Sequence, residues 1–307
     1  MKSFLIINGL SYTLGWLICV LSGAFGFPYL PLPFILTFLF IHFYYLKIKN
    51  EKEYFQDLLL LPYTIIIGLF IEIFILYFEI VLYKTPSFAA SILPPIWIWL
   101  LYFIFSTTIN HSLAYLFSYK ISSFLLGFFG GPLSYIAGAA LGAVVLKQLY
   151  SLTVLALIWG IFLLTLHFIM KRINQLVSAY ISPSYSHLYV LYDDVCPICS
   201  KEINHLSKRD QNHYVSFIPI GTKQQLKENF SHFDYDKVMK EIHVFDEAEN
   251  IHIGVDAFSQ MYSRTNHKFL ALILQAPILK TIFIWLYKLW TIYRLHNRKK
   301  YTKINED

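Results

Sequence analysis

The sequence predicts a multi-pass α-helical membrane domain followed by a smaller α/β domain. Hydrophobic residues make up 56% of the 307 residues and charged residues only 14%, whereas soluble proteins carry about 25% charged residues. The long apolar runs lie within residues 1–170, while residues 183–268 are rich in His, Lys, Asp and Glu. We therefore expect four parts: a transmembrane domain at 1–175, a linker at 176–185, a soluble domain at 186–272, and a C-terminal helix with a basic tail at 273–307.

Six apolar runs are long enough to cross a bilayer core, which needs about 20 residues per helix. They cover residues 4–21, 29–46, 58–83, 93–117, 124–146 and 152–170. Five spans are the alternative, because the uncharged turn at 26–28 is also typical of a re-entrant segment. A cleaved signal peptide is a second alternative for the first run, since Lys2 precedes it and small residues follow it.

The basic residues between these runs predict the orientation. With the N-terminus in the cytoplasm, the predicted cytoplasmic segments carry seven Lys and Arg residues, and the opposite side carries only Lys84 and Lys147. We therefore expect both termini in the cytoplasm, provided that the number of spans is even. The net charge of +6 does not indicate nucleic-acid binding, because no nucleic-acid motif accompanies it. Membrane lipids are the expected partners of these basic residues.

Polar residues inside the apolar runs are candidates for function, because ionisable groups are costly in a bilayer. Glu72 and Glu79 are seven residues apart, which predicts one face of the third helix, and Asn110 and His111 lie inside the fourth run. A polar site for a substrate, quinone or ion, built from Glu72, Asn110 and His111, is one interpretation. Hydrogen bonding between helices is the other, and it also covers His42 and His167.

Glycines mark the fifth run. Gly138 and Gly142, at a spacing of four, predict close helix packing. The segment Gly130-Gly131-Pro132 predicts a kink or break in the same helix.

The soluble part shows the element order β-α-β-α-β-β-α, which is that of a thioredoxin-like fold. The predicted strands cover 186–192, 214–220, 241–246 and 251–255, and the predicted helices cover 197–208, 224–230 and 257–263. The Cys-x-x-Cys pair lies where the first of these helices begins.

Cys196 and Cys199 form a dithiol redox motif in this position. The free N–H groups and the dipole of a helix N-terminus favour a thiolate at Cys196, which we expect to attack disulfides, while Cys199 resolves the mixed disulfide. Pro197 suits the first helical turn. Asp193 either caps the helix or relays a proton to and from Cys199. Asp194 adds negative charge that opposes thiolate formation and makes the pair more reducing.

The alternative for the two cysteines is half of a zinc site. Such a site needs four ligands, and no second cysteine pair exists in the chain. Four histidines of the soluble part remain as partners: His205, His213, His232 and His243. We expect no metal and no cofactor other than the redox-active disulfide. Cys19, in the first apolar run, is expected to pack as a small hydrophobic residue.

Both halves resemble known families. The motif Asp193-Asp194-Val195-Cys196-Pro197-Ile198-Cys199 resembles the DCC family of predicted thiol-disulfide oxidoreductases, named for its Asp-x-x-Cys-x-x-Cys motif, over about residues 186–300. Further matches are Gly254-Val255-Asp256-Ala257-Phe258, Pro277, Tyr287 and Arg294. Two departures are Asp194, where the family usually has glycine, and the absence of a proline just before residue 241, where thioredoxins have one.

The membrane half is similar to a family of uncharacterised bacterial inner-membrane proteins over about residues 5–170. The matching motifs are Pro94-Pro95-Ile96-Trp97, Asn110-His111-Ser112-Leu113, Gly130-Gly131-Pro132 and Gly138-Ala139. This resemblance implies a location in the bacterial inner membrane and no particular activity.

The predicted function is a membrane-anchored thiol-disulfide oxidoreductase whose Cys196–Cys199 pair exchanges disulfides on the cytoplasmic face. Its partner is an unidentified protein or small-molecule thiol or disulfide. The alternative is a non-redox membrane protein for transport, lipid chemistry or scaffolding, with the C-terminal domain as a regulatory or structural module. The segment 278–293 is expected either to lie in the membrane interface or to pack on the soluble domain.

Overall fold

The computed structural model describes residues 2–85, 93–147, 150–181, 185–220 and 233–304, together with 222, 224, 226, 227 and 230. Side chains are described for these residues except Lys2 and 296–304. The chain divides into two compact units, Met1–Asn174 and Gln175–Asp307.

The first unit is a bundle of α-helices. They are α1 (Lys2–Phe25), α2 (Leu32–Lys49), α3 (Glu51–Tyr77), α4 (Ile96–Ile109), α5 (Ala114–Phe117), α6 (Lys120–Ala140) and α7 (Ser151–Tyr180). Within the described residues of this unit, α1, α2, α3, α6 and α7 are long and apolar enough to cross a membrane. The last of these, α7, continues to Tyr180 and so occupies the first half of the predicted linker at 176–185, whose residues 182–184 lie outside the described residues.

The fourth apolar run, predicted as one span over 93–117, is interrupted. Helix α4 has 14 residues and ends at Ile109. In its last turn Ser106, Thr107 and Thr108 each donate a side-chain hydrogen bond to the carbonyl three residues earlier, and such bonds compete with the helical pattern. Asn110 then leaves the helix and donates to Asp57 of α3.

Two predicted spans end early because a short β-ribbon joins them. Strands β1 (Val81–Tyr83) and β2 (Val144–Leu146) pair in antiparallel register, where continuous helices were predicted to reach 83 and 146. Glu79 and Gly142 have φ values of +50° and +81°, and left-handed residues end helices. The ribbon places the C-terminal ends of α3 and α6 at the same end of the bundle. The segment with α4 and α5 therefore leads from this end of the bundle to the opposite end, where α6 begins.

The glycines of α6 act differently from the prediction. The helix continues through Gly130-Gly131-Pro132 without a break, and Gly142 lies beyond it. The close approach is made by Gly127, because a Cβ atom there would meet the backbone carbonyl of Trp159 in α7. Absence of a side chain at Gly127 thus permits backbone contact between α6 and α7.

The second unit has the predicted thioredoxin-like order of elements. A four-stranded sheet contains β3 (Leu188–Tyr192), β4 (Val215–Pro219), β5 (His243–Asp246) and β6 (Ile251–Ile253) in the spatial order β4-β3-β5-β6. The β3–β4 pair is parallel, and the other two pairs are antiparallel. The helices are α8 (Pro197–Ser207), α9 (Tyr235–Lys240), α10 (Val255–Arg264), α11 (Lys268–Gln275) and α12 (Leu279–Ile304). Much of the predicted helix 224–230, and His232, lie outside the described residues.

The last helix, α12, has one buried side and one exposed apolar side. Helix α11 crosses the predicted boundary at 272/273, and α12 follows it at an angle of 96°. Thr291 and Arg294 of α12 are buried within the second unit. The opposite side of α12 leaves large apolar side chains exposed: Ile282, Trp285, Leu286, Leu289 and Ile292. The packing expected as one alternative for 278–293 is therefore present on one side of α12, and the expected position in the membrane interface stays a prediction.

The contact at Gly127 predicts the result of a matched pair of substitutions. Gly127→Ala is expected to destabilise the full chain by about 1–3 kcal/mol, because the new methyl group overpacks against a backbone that cannot rotate away. Gly130→Ala, in the same helix, meets only a Leu126 methyl group 3.9 Å away and should be neutral or stabilising. Thermal unfolding in detergent checks both, and equal melting temperatures for the two variants would contradict the assignment.

Candidate dithiol site

The turn between β3 and α8 places the two cysteines. Cys196 has an extended backbone and is the N-cap of α8, and Pro197 follows at the first helical position, where its missing N–H costs nothing. Asp193 is buried, and its Oδ1 accepts a hydrogen bond of 3.2 Å from the backbone N–H of Val195, before the helix begins. The capping role considered for Asp193 therefore belongs to Cys196. Asp194 is exposed, and its carbonyl accepts from the Ser200 hydroxyl.

The two sulfur atoms are hydrogen-bonded. The Cys199 thiol donates to Cys196 Sγ over 2.7 Å, and both cysteines are free thiols. The backbone N–H of Cys199 also donates to Cys196 Sγ, over 3.4 Å. Cys196 is only 4% exposed, whereas Cys199 is half-buried. Two donors from Cys199 thus converge on one sulfur at the positive end of a helix.

These contacts give the two thiols different pKa values. The hydrogen bond from the Cys199 thiol lowers the pKa of Cys196 from 9.0 to about 6, against the opposing effect of burial. The same hydrogen bond and burial raise the pKa of Cys199. Asp193 opposes the thiolate at Cys196 electrostatically, and Arg294 favours it. Cys196 is consequently the thiol that ionises more readily at neutral pH.

Arg294 of α12 reaches the dithiol from a distant part of the sequence. Its Nη1 donates to Cys199 Sγ over 3.6 Å. Its Nη2 donates to the carbonyls of Met239 and Lys240, and the guanidinium lies over the Trp290 ring at 5.4 Å. The side chain is 5% exposed, and its Nε has no hydrogen-bond partner among the described residues. A buried cation is thus fixed beside Cys199 Sγ.

The other residues that match the DCC family attach the C-terminal helices to the domain. The Tyr287 hydroxyl accepts from the backbone N–H of Ile242, just before β5, and its ring packs edge-on against Phe258. Asp256 forms an ion pair of 2.7 Å with Lys280 and accepts from Gln275. These contacts hold α12 in the position from which Arg294 reaches Cys199.

A cavity of about 240 Å³ opens beside Cys199. Its apolar walls include Ile198, Phe258 and Trp290, and Asp193 and Arg294 supply charged groups. Of the two cysteines, Cys199 lines this cavity. The zinc alternative gains no ligand here, because within the described residues no cluster of three His, Cys, Asp or Glu donors includes the cysteines.

The candidate polar residues of the membrane unit fall into two separate clusters. Glu72 accepts hydrogen bonds from three tyrosines, Tyr83, Tyr102 and Tyr135. Asn110 and His111 instead bind Asp57, together with His42. The single site expected from Glu72, Asn110 and His111 is therefore not formed.

Two further sequence interpretations of the membrane unit need correction. Glu79 does not share a helix face with Glu72, because α3 ends at Tyr77, and Glu79 pairs with Lys147. Asp57 was missed because it lies one residue before the predicted apolar run at 58–83. Glu53, four residues earlier, belongs to an acidic first turn, and the sequence therefore gave no sign that Asp57 would be buried.

His167 binds the Phe117 carbonyl at 2.7 Å, as expected for hydrogen bonding between helices.

Two family models match the chain in separate segments. The family described as "Protein of unknown function (DUF2878)" matches residues 5–165, and the family described as "DCC1-like thiol-disulfide oxidoreductase" matches residues 190–300. The expected fusion of an uncharacterised membrane domain with a DCC domain is confirmed. The second match supports a redox role for the domain that carries Cys196 and Cys199.

A curated relative also matches about a third of the chain. An uncharacterized chloroplastic protein of Arabidopsis thaliana is 30% identical over 107 residues, which are 34% of this chain and 50% of that protein. The chain thus spans about half the length of this relative. No solved structure matches the sequence.

The hydrogen bond between the sulfurs predicts a pH profile. Alkylation of Cys196 by iodoacetamide should rise about tenfold per pH unit below pH 6 and level off above it, because the thiolate is the reactive form. Cys199→Ala removes the thiol donor and should raise the pKa of Cys196, which moves the profile to higher pH. Mass spectrometry of the Cys196 peptide gives the rates. An inflection that stays at the same pH in both proteins would argue against the assigned hydrogen bond.

Proposed function

The chain belongs to the family described as protein of unknown function (DUF2878), and we propose that this member is a membrane-anchored thiol-disulfide oxidoreductase. The observation that carries the proposal is the Cys196–Cys199 pair, with one thiol at a helix N-cap and Arg294 beside the other. A dithiol with unequal pKa values is what exchange chemistry requires, because one sulfur attacks and the other resolves.

The reaction passes two electrons from the dithiol to a partner disulfide. The Cys196 thiolate attacks one sulfur of that disulfide, so a Cys196–partner bond forms, the partner's S–S bond breaks, and one partner thiolate leaves. Cys199 then loses its proton and attacks the Cys196 sulfur. The Cys196–Cys199 disulfide forms and the second partner thiolate leaves. The same steps in reverse oxidise a partner dithiol.

The surrounding residues have distinct parts in the second step. Arg294 stabilises the thiolate that develops on Cys199, because its Nη1 already contacts that sulfur. Asp193 lines the same cavity as Cys199 and is the proposed acceptor of its proton. Asp194 is exposed, and its negative charge opposes thiolate formation and makes the cysteine pair more reducing.

The proposed location is the inner membrane of a bacterium, with the dithiol on the cytoplasmic face. The β1–β2 ribbon supports six passes through the bundle, which returns both ends of the membrane unit to one side. That side carries seven of the nine loop cations counted in the sequence. The exposed apolar side of α12 suits contact with the lipid interface.

Trapping experiments test the exchange mechanism. Cys199→Ser should accumulate a mixed disulfide between Cys196 and the partner, because no thiol remains to resolve it. Cys196→Ser should abolish reduction of a model disulfide such as oxidised glutathione. Cys19→Ser is the matched control and should retain full activity, since Cys19 is completely buried in the membrane unit. If Cys196→Ser retained wild-type reductase activity, the exchange mechanism would be wrong.

Labelling of intact cells tests the orientation. A membrane-impermeant maleimide should label Cys196 only after the inner membrane is permeabilised. In a Cys196→Ser/Cys199→Ser background, Lys147→Cys should be labelled without permeabilisation. Residue 147 belongs to the end of the bundle that is predicted to face away from the cytoplasm. The reverse pattern would place the dithiol outside the cytoplasm and remove that part of the proposal.

A further inference from the structure

Three buried side chains of the membrane unit converge at one end of the bundle. His42 comes from the last part of α2, Asp57 from the second turn of α3 and His111 from the turn after α4. Their exposed fractions are 3%, 1% and 4%. Nε2 of His42 lies 2.7 Å from Asp57 Oδ2, and Nε2 of His111 lies 2.8 Å from the same oxygen. Two imidazole nitrogens and one carboxylate oxygen therefore point at a common place.

We propose that His42, Asp57 and His111 form a binding site for a divalent first-row transition-metal ion, with Zn²⁺ as the reference ion. Imidazole and carboxylate are ligands for Zn²⁺ and for other metals of this row. Ca²⁺ and Mg²⁺ are disfavoured, because these ions prefer oxygen ligands and two of the three donors are nitrogen.

The distances are close to those around a metal ion. The three donor atoms lie within 4.8 Å of one another. Around a tetrahedral ion with bonds of about 2.0–2.1 Å, the ligand atoms are about 3.4 Å apart. The two distances from histidine Nε2 to Asp57 Oδ2 are therefore about 0.6 Å shorter than the spacing of ligand atoms around such an ion.

The residues around the donors have the arrangement that supports metal ligands. Asn110 donates to the other oxygen of Asp57 over 2.9 Å, which leaves Oδ2 directed at the histidines. Nδ1 of His111 lies 4.0 Å from Glu53 Oε2, which is too long for a hydrogen bond but places a carboxylate on the side of the ring away from Asp57. The ring of Phe4 stacks on His42 and meets His111 edge-on, which restricts both rings.

Three protein donors leave one position of a tetrahedral ion for water or a substrate atom. Closed structural zinc sites have four protein ligands, whereas catalytic sites keep three and an open position. The inference is separate from the dithiol chemistry, because it uses no residue of the second unit.

Zn²⁺ binding to the full chain in detergent tests the proposal. The parent protein should carry Cys196→Ser and Cys199→Ser, so that the dithiol cannot bind the ion. One Zn²⁺ per chain is expected, measured by metal analysis and by competition with a chromophoric chelator. His42→Gln and His111→Gln should each lower the affinity at least tenfold, because an amide can still hydrogen-bond to Asp57 but is a poor zinc ligand. Asn110→Ala should lower it by about 10–100-fold.

The matched control is His167→Gln, a substitution of another buried histidine in the same unit. It should bind Zn²⁺ as tightly as the parent. Co²⁺ provides a second readout, because a tetrahedral nitrogen and oxygen site gives visible absorption that His42→Gln and His111→Gln should remove. Size-exclusion profiles and circular dichroism identify any variant that fails to fold. A parent without stoichiometric Zn²⁺, or unchanged affinity in both glutamine variants, would overturn the proposal.

Discussion

The need to give every buried ionisable side chain its own partners organises both units of this protein. A charge removed from water is tolerated only when it is paired and hydrogen-bonded. Glu72 accepts hydrogen bonds from three tyrosine hydroxyls in different parts of the bundle. Arg294 donates hydrogen bonds to two carbonyls and a thiol and lies against an aromatic ring. Each group thereby fixes the positions of the elements that supply its partners.

The same requirement links structure to chemistry at the dithiol. Arg294 is buried because α12 packs against the C-terminal end of α9, and this packing brings its guanidinium to Cys199. The helix N-terminus and the Cys199 thiol act on Cys196, while the cation acts mainly on Cys199. The two sulfurs are therefore tuned by different elements. This separation allows one to be a thiolate at neutral pH while the other remains a proton donor.

The sequence predicted the elements with strong local signals. Strand alternation near 188–192, the Pro197 signal and the hairpin around 247–250 identified the α/β unit, and the apolar runs identified the long helices. Contacts between distant residues were not predictable in this way. Asp57 lies in an ordinary acidic helix start and becomes buried only because Asn110 and His111 turn back towards it. Gly127 resembles the neighbouring glycines in sequence, and only the approach of the Trp159 backbone distinguishes it. Arg294 was indicated by family resemblance alone, 95 residues from the thiol that it contacts.

The reduction potential of the Cys196–Cys199 pair decides whether this dithiol works in thiol-disulfide exchange. Redox titration of the full chain in detergent, with thiol alkylation and mass detection, provides it. We expect a reversible two-electron couple between about −180 and −300 mV, the range of working oxidoreductases. A pair that forms no disulfide, or that holds stoichiometric zinc which Cys196→Ser releases, would contradict exchange chemistry at these cysteines.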